Sequence, residues 1–250
     1  RVAYPRHYRH PTLACLFQAE YFKQKTAYAI GVGLVGSEMC IRDRSLTPKQ
    51  RSLFSNLDKY EIDLTSLKKD NIHKSKKLFF EIGFGSGDII YKQAKLNPEN
   101  IYIGIEYYRK GIAQLIEKIE TTKLENLKIF HGDARRVLAN IPDEIFDEIW
   151  LFFPDPWPKK RHSKRRFIQL EMIELLHRKI KQGGKLLISS DDKNYIAWTL
   201  SLIFMRNFFN WLSDEPSDWK HPNNDYFGSK YEKKGIKSDR EPYFLKFLKI

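Results

Sequence analysis

The chain has 250 residues, 42% of them hydrophobic, which is enough for one sizeable core and excludes a peptide, a fibre or a wholly disordered tail. Its 44 Lys and Arg outnumber 31 Asp and Glu, a formal net charge of +13 that points to an anionic partner. Two cysteines, Cys15 and Cys40, with no CxxC pair exclude a disulfide framework and a structural zinc cluster, so no metal is expected. No apolar run approaches the roughly 18 to 20 residues that a membrane span requires, and the apolar patch at 12–17 is too short for a secretory h-region. A soluble cytoplasmic protein with no membrane partner is expected, as a monomer or a homodimer.

Residues 1–44 differ from the rest. They hold both cysteines, carry 7 Lys and Arg against 3 Asp and Glu, and show no sustained period of 2 or 3.6. Gly31, Gly33 and Gly36 satisfy GxGxxG, yet only a short apolar stub precedes them, and a charged stretch reaching Pro48 follows. A dinucleotide-binding turn needs a strand before it and an amphipathic helix after it, so that reading fails here. The string 31–44 resembles the translation of a sequencing adapter. The expected division is therefore a disordered or artefactual leader, 1–44, and a functional domain, 45–250.

From residue 45 onward, strands alternate with helices. Apolar runs at 78–82, 101–106, 127–130, 148–153, 185–189 and 243–248 read as strands. Stretches at 88–96, 109–121 and 166–181 read as helices, the last closed by Gly183-Gly184. The fold class predicted is α/β, Rossmann-like, with a doubly wound, mostly parallel sheet and an antiparallel C-terminal strand. Ligands then belong at the carboxyl ends of the strands.

Three consecutive strand ends carry chemistry there. Glu81 precedes a loop in which Gly83, Gly85 and Gly87 alternate, so the backbone can turn sharply and approach a ligand with no Cβ in the way. Glu106 lies 19 residues beyond Gly87 at the end of the second strand, where an acid can accept bonds from both ribose hydroxyls of a nucleoside. Asp133, at the end of the third, can meet an adenine amino group. The GxGxG loop with an acid ahead of it resembles the S-adenosyl-L-methionine site of class I methyltransferases more than a dinucleotide site. A carboxylate such as Glu81 or Asp88 suits a cationic sulfonium and would repel a pyrophosphate.

The fourth strand runs into Pro154-Asp155-Pro156-Trp157-Pro158, where three prolines within five residues stiffen the loop, and Pro156 pushes Asp155 to an extended backbone. Six of the next eight residues are Lys or Arg: Lys159, Lys160, Arg161, Lys164, Arg165 and Arg166. Such a run is often only a solvated face, but here it directly follows a rigid acid.

At Pro154 to Lys159 the chain resembles the bacterial tRNA (guanine-N7)-methyltransferases, whose signature is PDPWPK followed by basic residues. Leu46-Thr47-Pro48-Lys49-Gln50, Glu81 to Gly87, Gly104 to Glu106, Gly132-Asp133-Ala134, Ser190-Asp191 and Ser229 to Gly235 correspond as well, so the resemblance covers about four-fifths of the chain. It implies methyl transfer to a tRNA guanosine, usually the variable-loop residue at tRNA position 46. It implies cofactor contacts at Glu81, Glu106, Asp133 and Asp155, with Asp155 also catalytic. For the substrate it implies Lys159, Asp191 and the segment Ser229, Lys230, Tyr231 and Glu232. Ser229 stands where the family commonly has Thr, and the arginine-rich segment that often precedes the LTPxQ-like start is replaced by the leader.

Guanine N7 has an in-plane lone pair, so its attack on a sulfonium methyl needs no strong general base. Positive charge develops on the guanine, and a carboxylate at its N1–H and N2 amino group would stabilise that charge. Asp155 and Asp191 are the candidates. Lys159, Lys160, Arg161, Lys164, Arg165 and Arg166 would bind phosphates. Trp157 has two readings, stacking on the extruded base or packing its loop onto the domain. Phe204, Phe208, Phe209 and Trp211 read as core. Two alternatives stay open: a methyltransferase acting on an exocyclic amine, from which Trp157 inserted before Pro158 departs, and a catalytically silent tRNA-binding protein.

Overall fold

The computed structural model describes residues 46–62, 67, 76–222 and 241–250. The leader at 1–44, and Ser229, Lys230, Tyr231 and Glu232, lie outside the described residues. The strands are β1 (Leu78–Ile82), β2 (Ile101–Glu106), β3 (Leu127–His131), β4 (Phe146–Phe152), β5 (Ile180–Ser190), β6 (Phe209–Trp211) and β7 (Tyr243–Lys249). They form one sheet in the order β3-β2-β1-β4-β5-β7-β6. Neighbours from β3 to β5 pair in parallel, and β7 runs antiparallel to both β5 and β6. The order reverses between β1 and β4, which opens the ligand crevice at their carboxyl ends.

The helices are α1 (Pro48–Phe54), α2 (Asp88–Leu96), α3 (Arg109–Thr122), α4 (Ala134–Asn140), α5 (Leu170–Lys179), α6 (Lys193–Phe204) and the single turn α7 (Ser217–Lys220). The Leu46-Thr47-Pro48-Lys49-Gln50 string is a helix start. Thr47 Oγ1 accepts the Gln50 N–H at 3.2 Å, Gln50 Oε1 accepts the Thr47 N–H at 3.1 Å, and Pro48 occupies the first helical position. Lys49 then pairs with Glu117 at 2.5 Å, setting α1 on α3.

Both sheet faces are buried, which explains why the parallel strands read as continuous apolar runs. One face carries Phe80, Ile103, Ile149, Leu176, Tyr195 and Phe247; the other carries Phe84, Ile90, Tyr102, Leu115, Ile129 and Trp150. Phe209 is in the core as expected, and Phe204, Phe208 and Trp211 pack against it. No helix among the described residues is long and apolar enough to cross a membrane.

Two expectations need correction. The helix read at 166–181 starts only at Leu170, because Gln169 is extended and Arg166 has left helical backbone with ψ at 142°. Gly183-Gly184 is not a helix stop but part of β5, which begins at Ile180 and pairs with β4 across a register shift between Phe146 and Glu148. A Cβ on Gly184 would lie 2.8 Å from the Asp147 carbonyl oxygen, so glycine permits the close approach of the two strands there.

Candidate active site

The loop after β1 turns through Gly83, Gly85 and Gly87, whose φ angles are +71°, +58° and +68°, a region that strains other residues. Its backbone is tied across the sheet. The Gly85 N–H donates to Glu106 Oε2 at 2.7 Å, while the Tyr107 and Tyr108 N–H groups donate to Oε1 at 2.8 and 3.0 Å. Glu106 therefore shapes the loop as well as facing the crevice; Oε1 is taken up by two amides, while Oε2, with one, keeps a lone pair for a ligand hydroxyl. Burial raises its pKa, opposed by the three amides and supported by repulsion from Asp155.

Glu81 sits at 3% exposure under this loop. Burial pushes its carboxyl up to about 8, against a backbone hydrogen bond with Ile90, and Glu106 and Asp88 add repulsion. Its Oε2 is buried without a hydrogen-bond partner. Asp88 differs. It accepts from Ser86 Oγ at 2.6 Å and pairs with Lys118, whose Nζ also donates to the Ser86 carbonyl at 2.7 Å. Of the two acids ahead of the ligand, Asp88 is thus already compensated and Glu81 is not.

Asp133 caps α4, its Oδ1 accepting the Arg135 N–H at 2.9 Å, and it stays about a third exposed. The Gly132 N–H donates to the Glu106 carbonyl at 3.1 Å, so the ends of β2 and β3 lie side by side. On the other side of β1, Asp155 follows β4 on an exposed stretch of loop, yet desolvation within the crevice raises its pKa. The Phe153 N–H donates to the Ser189 carbonyl at 2.8 Å. Asp191, just past β5, therefore leaves a strand end adjacent to that of Asp155.

Four carboxylates, Glu81, Asp88, Glu106 and Asp155, interact in a chain along the crevice, and among the described residues only Asp88 is ion-paired to a lysine. Such a site favours a cation and disfavours a phosphate. A family model described as a putative methyltransferase matches residues 75–245. The tRNA (guanine-N(7)-)-methyltransferase of Roseobacter denitrificans is 35% identical over 205 residues, covering 82% of this chain and 85% of its own. That of Azorhizobium caulinodans is 34% identical over 205 residues, covering 81% and 89%. The chain belongs to the tRNA (guanine-N7)-methyltransferase family.

Solved structures agree on the fold. A 30S ribosomal A1408 methyltransferase from an uncultured bacterium superposes with a TM-score of 0.50 at 23% identity, over 76% of this chain and 95% of its own. The 16S rRNA methyltransferase KamB gives 0.51 at 13% identity, over 73% and 94%. This is the class I methyltransferase fold, which uses S-adenosylmethionine. The crevice fits that molecule: the orphaned, buried Glu81 Oε2 needs a cationic or hydrogen-bonding partner, and the glycine loop leaves room for one.

On the substrate side of this tRNA methyltransferase, Lys159 caps a 3₁₀ helix, Lys160–Arg165, in which Lys160, Arg161, Lys164 and Arg165 are all exposed. Arg166 departs from the expected set. It is only 6% exposed, its guanidinium turned to the carbonyls of Pro156 and Trp157 and withdrawn from the surface on which the other five lie. Trp157 is also engaged within the loop, with the His162 ring edge-on at 5.6 Å and the Arg165 guanidinium 4.9 Å from its ring centroid, which favours the loop-packing reading. No group of His, Cys, Asp or Glu among the described residues could hold a metal ion.

Sequence reasoning missed four contributors. A Cβ on Gly111, in α3, would lie 2.0 Å from the Gly85 carbonyl oxygen, so this helix is seated directly on the glycine loop. Lys118, two helix turns further, neutralises Asp88. Tyr107 and Tyr108, 59% and 40% exposed, line the rim beside Glu106. The only sequence signal was their position: a glycine inside an amphipathic helix, and two tyrosines following a strand-end acid.

Proposed function

We propose that this chain transfers a methyl group to N7 of the variable-loop guanosine of tRNA, position 46, with Asp155 as the residue that meets the reacting base. S-adenosylmethionine, when bound, supplies an electrophilic methyl on a sulfonium. Glu81 faces its cationic amino acid end, Gly83, Gly85 and Gly87 let the backbone approach it, Glu106 accepts from a ribose hydroxyl, and Asp133 meets its adenine. The chain itself holds N7 in line with the methyl, and well-oriented approximation of this kind contributes about 7 to 11 kcal/mol. N7 carries no proton, so no residue has to act as a strong base.

As the base gains positive charge, an acceptor on its N1–H and N2 amino edge stabilises it. Asp155 and Asp191, leaving neighbouring strand ends, serve there. Lys159, Lys160, Arg161, Lys164 and Arg165 grip the RNA backbone, and the segment Ser229, Lys230, Tyr231 and Glu232 completes substrate binding. The domain 45–250 carries this activity in the cytoplasm, where tRNA is its partner, as a monomer or a homodimer, and the leader 1–44 is dispensable.

The observation that carries this reading is the proline-locked Asp155, within electrostatic reach of Glu106, with five exposed cations immediately behind it. The test is to incubate tRNA with the full chain and S-adenosylmethionine, then map 7-methylguanosine by borohydride reduction and aniline cleavage. Scission at position 46 is expected, from residues 45–250 alone as well. Scission elsewhere would refute the assigned position, and none at all would refute the activity.

A further inference from the structure

We infer that Arg166 is a positioning residue, a buried clamp that fixes the loop bearing Asp155 and takes no part in gripping RNA. The inference rests on the role proposed for Asp155. It begins with backbone strain at both ends of the loop. Phe153 has φ at +52° and Trp157 at +43°, a left-handed region that bulky aromatic residues rarely enter. Such conformations persist only where surrounding contacts hold them.

At the strand end, the Phe153 N–H on the Ser189 carbonyl supplies that hold. The other end depends on Arg166. Its Nε donates to the Pro156 carbonyl at 3.0 Å, and its Nη2 reaches the Trp157 carbonyl at 3.5 Å. Prolines 154, 156 and 158 contribute no N–H groups, so the loop has few donors of its own for its carbonyls. An arginine supplies two at a fixed spacing.

The guanidinium is itself held in place. It lies 5.2 Å from the ring centroid of Trp198 on α6, and the Trp198 indole N–H donates to the Ile168 carbonyl at 2.8 Å. Gln169 Nε2 donates to the carbonyls of Ser163 and Arg166 at 2.9 and 3.1 Å, fixing the chain where the 3₁₀ helix ends. Arg165, from outside, lies against the Trp157 ring. Two consecutive arginines thus hold one tryptophan by different parts, its ring and its carbonyl, and only the second is withdrawn from solvent. A planar fork resting on an aromatic face is work that lysine cannot do.

The experiment compares Arg166→Lys, Arg166→Gln and Trp198→Leu with Arg161→Ala and Asp155→Asn, in the full chain, with steady-state kinetics on tRNA over a range of salt. Arg166→Lys and Arg166→Gln should each lower kcat by about 100-fold, the order expected for a displacement of about 1 Å, leaving the tRNA KM and its salt dependence unchanged. Trp198→Leu, which alters no charge, should lower kcat in the same way. Arg161→Ala should instead raise KM and flatten the salt dependence. Arg166→Lys with undiminished kcat overturns the inference, because a lysine preserves a phosphate contact but not the clamp. So does Arg166→Gln acting on KM and salt dependence alone, and if that variant does not fold, Trp198→Leu with undiminished kcat does so. Full kcat in Asp155→Asn alongside a loss in Arg166→Lys would refute the role of Asp155 and leave the clamp standing.

Discussion

The Gly85 N–H points at Glu106 Oε2 from 2.7 Å, so the acid at the end of β2 sets the shape of the loop that follows β1. One carboxylate thereby both orders the glycine loop and presents an acceptor to the crevice. Replacing Glu106 with Ala removes the acceptor of three backbone N–H groups at once. A hydrogen bond to a charged group contributes about 1.5 to 3 kcal/mol, so loss of even one predicts S-adenosylmethionine affinity weaker by about 10- to 100-fold. Calorimetric titration of the variant checks this.

Gly111→Ala should disturb the same loop from below, since the new methyl would have to displace the Gly85 carbonyl. Overpacking of this kind costs about 1 to 3 kcal/mol, which for a domain of this size lowers the melting temperature by about 2 to 12 °C. Thermal unfolding followed by circular dichroism measures the drop. Weakened cofactor binding should accompany it, because the displaced backbone is the one that approaches the ligand.

Glu81 predicts two pH effects. In the unfolded chain it ionises near its ordinary value of 4.5, whereas in the folded, ligand-free protein it keeps its proton up to about 8. The folded state therefore binds the extra proton between those limits. The stability this contributes is complete below about 4.5 and is lost as the pH rises through about 8. Glu81→Gln should remove that slope from the melting temperature measured against pH. A cationic ligand favours the ionised carboxylate, so binding S-adenosylmethionine below pH 8 should release a proton from the wild type and none from Glu81→Gln, read from binding enthalpies in buffers of different ionisation heat.

The exposed cations of the 3₁₀ helix should act on RNA through charge alone. Each phosphate contact contributes about 0.7 to 0.9 to the slope of log affinity against log salt. Lys160→Ala combined with Arg161→Ala should therefore flatten the slope by about 1.4 to 1.8, with the affinity for S-adenosylmethionine unchanged. Filter binding of tRNA across a salt series provides the measurement.

The glycine-loop, strand-end acid and proline motifs show what local sequence can and cannot say. β1, β2 and α2 have the expected boundaries, because apolar runs, a glycine loop and a strand-end acid are local features of chain geometry. Helix and strand limits near Arg166 and Gly183-Gly184 were misread, because there the backbone follows partners distant in sequence: the loop carbonyls in one case and β4 in the other.

By itself the sequence determined the alternating architecture, the acids at successive strand ends, the stiff acidic loop and the basic run behind it, since each depends on residue type at short spacing. Only the tertiary structure decided which charges are already satisfied. Asp88 and Glu81 are both acids beside one loop, yet Lys118 from α3 reaches the first, while the second is buried with an unpartnered oxygen. Arg165 and Arg166 are adjacent and identical in type, yet one faces solvent and the other lies against Trp198. The physical reason is the same in both pairs. Burial and pairing are set by whichever element folds over a residue, and that element comes from elsewhere in the chain.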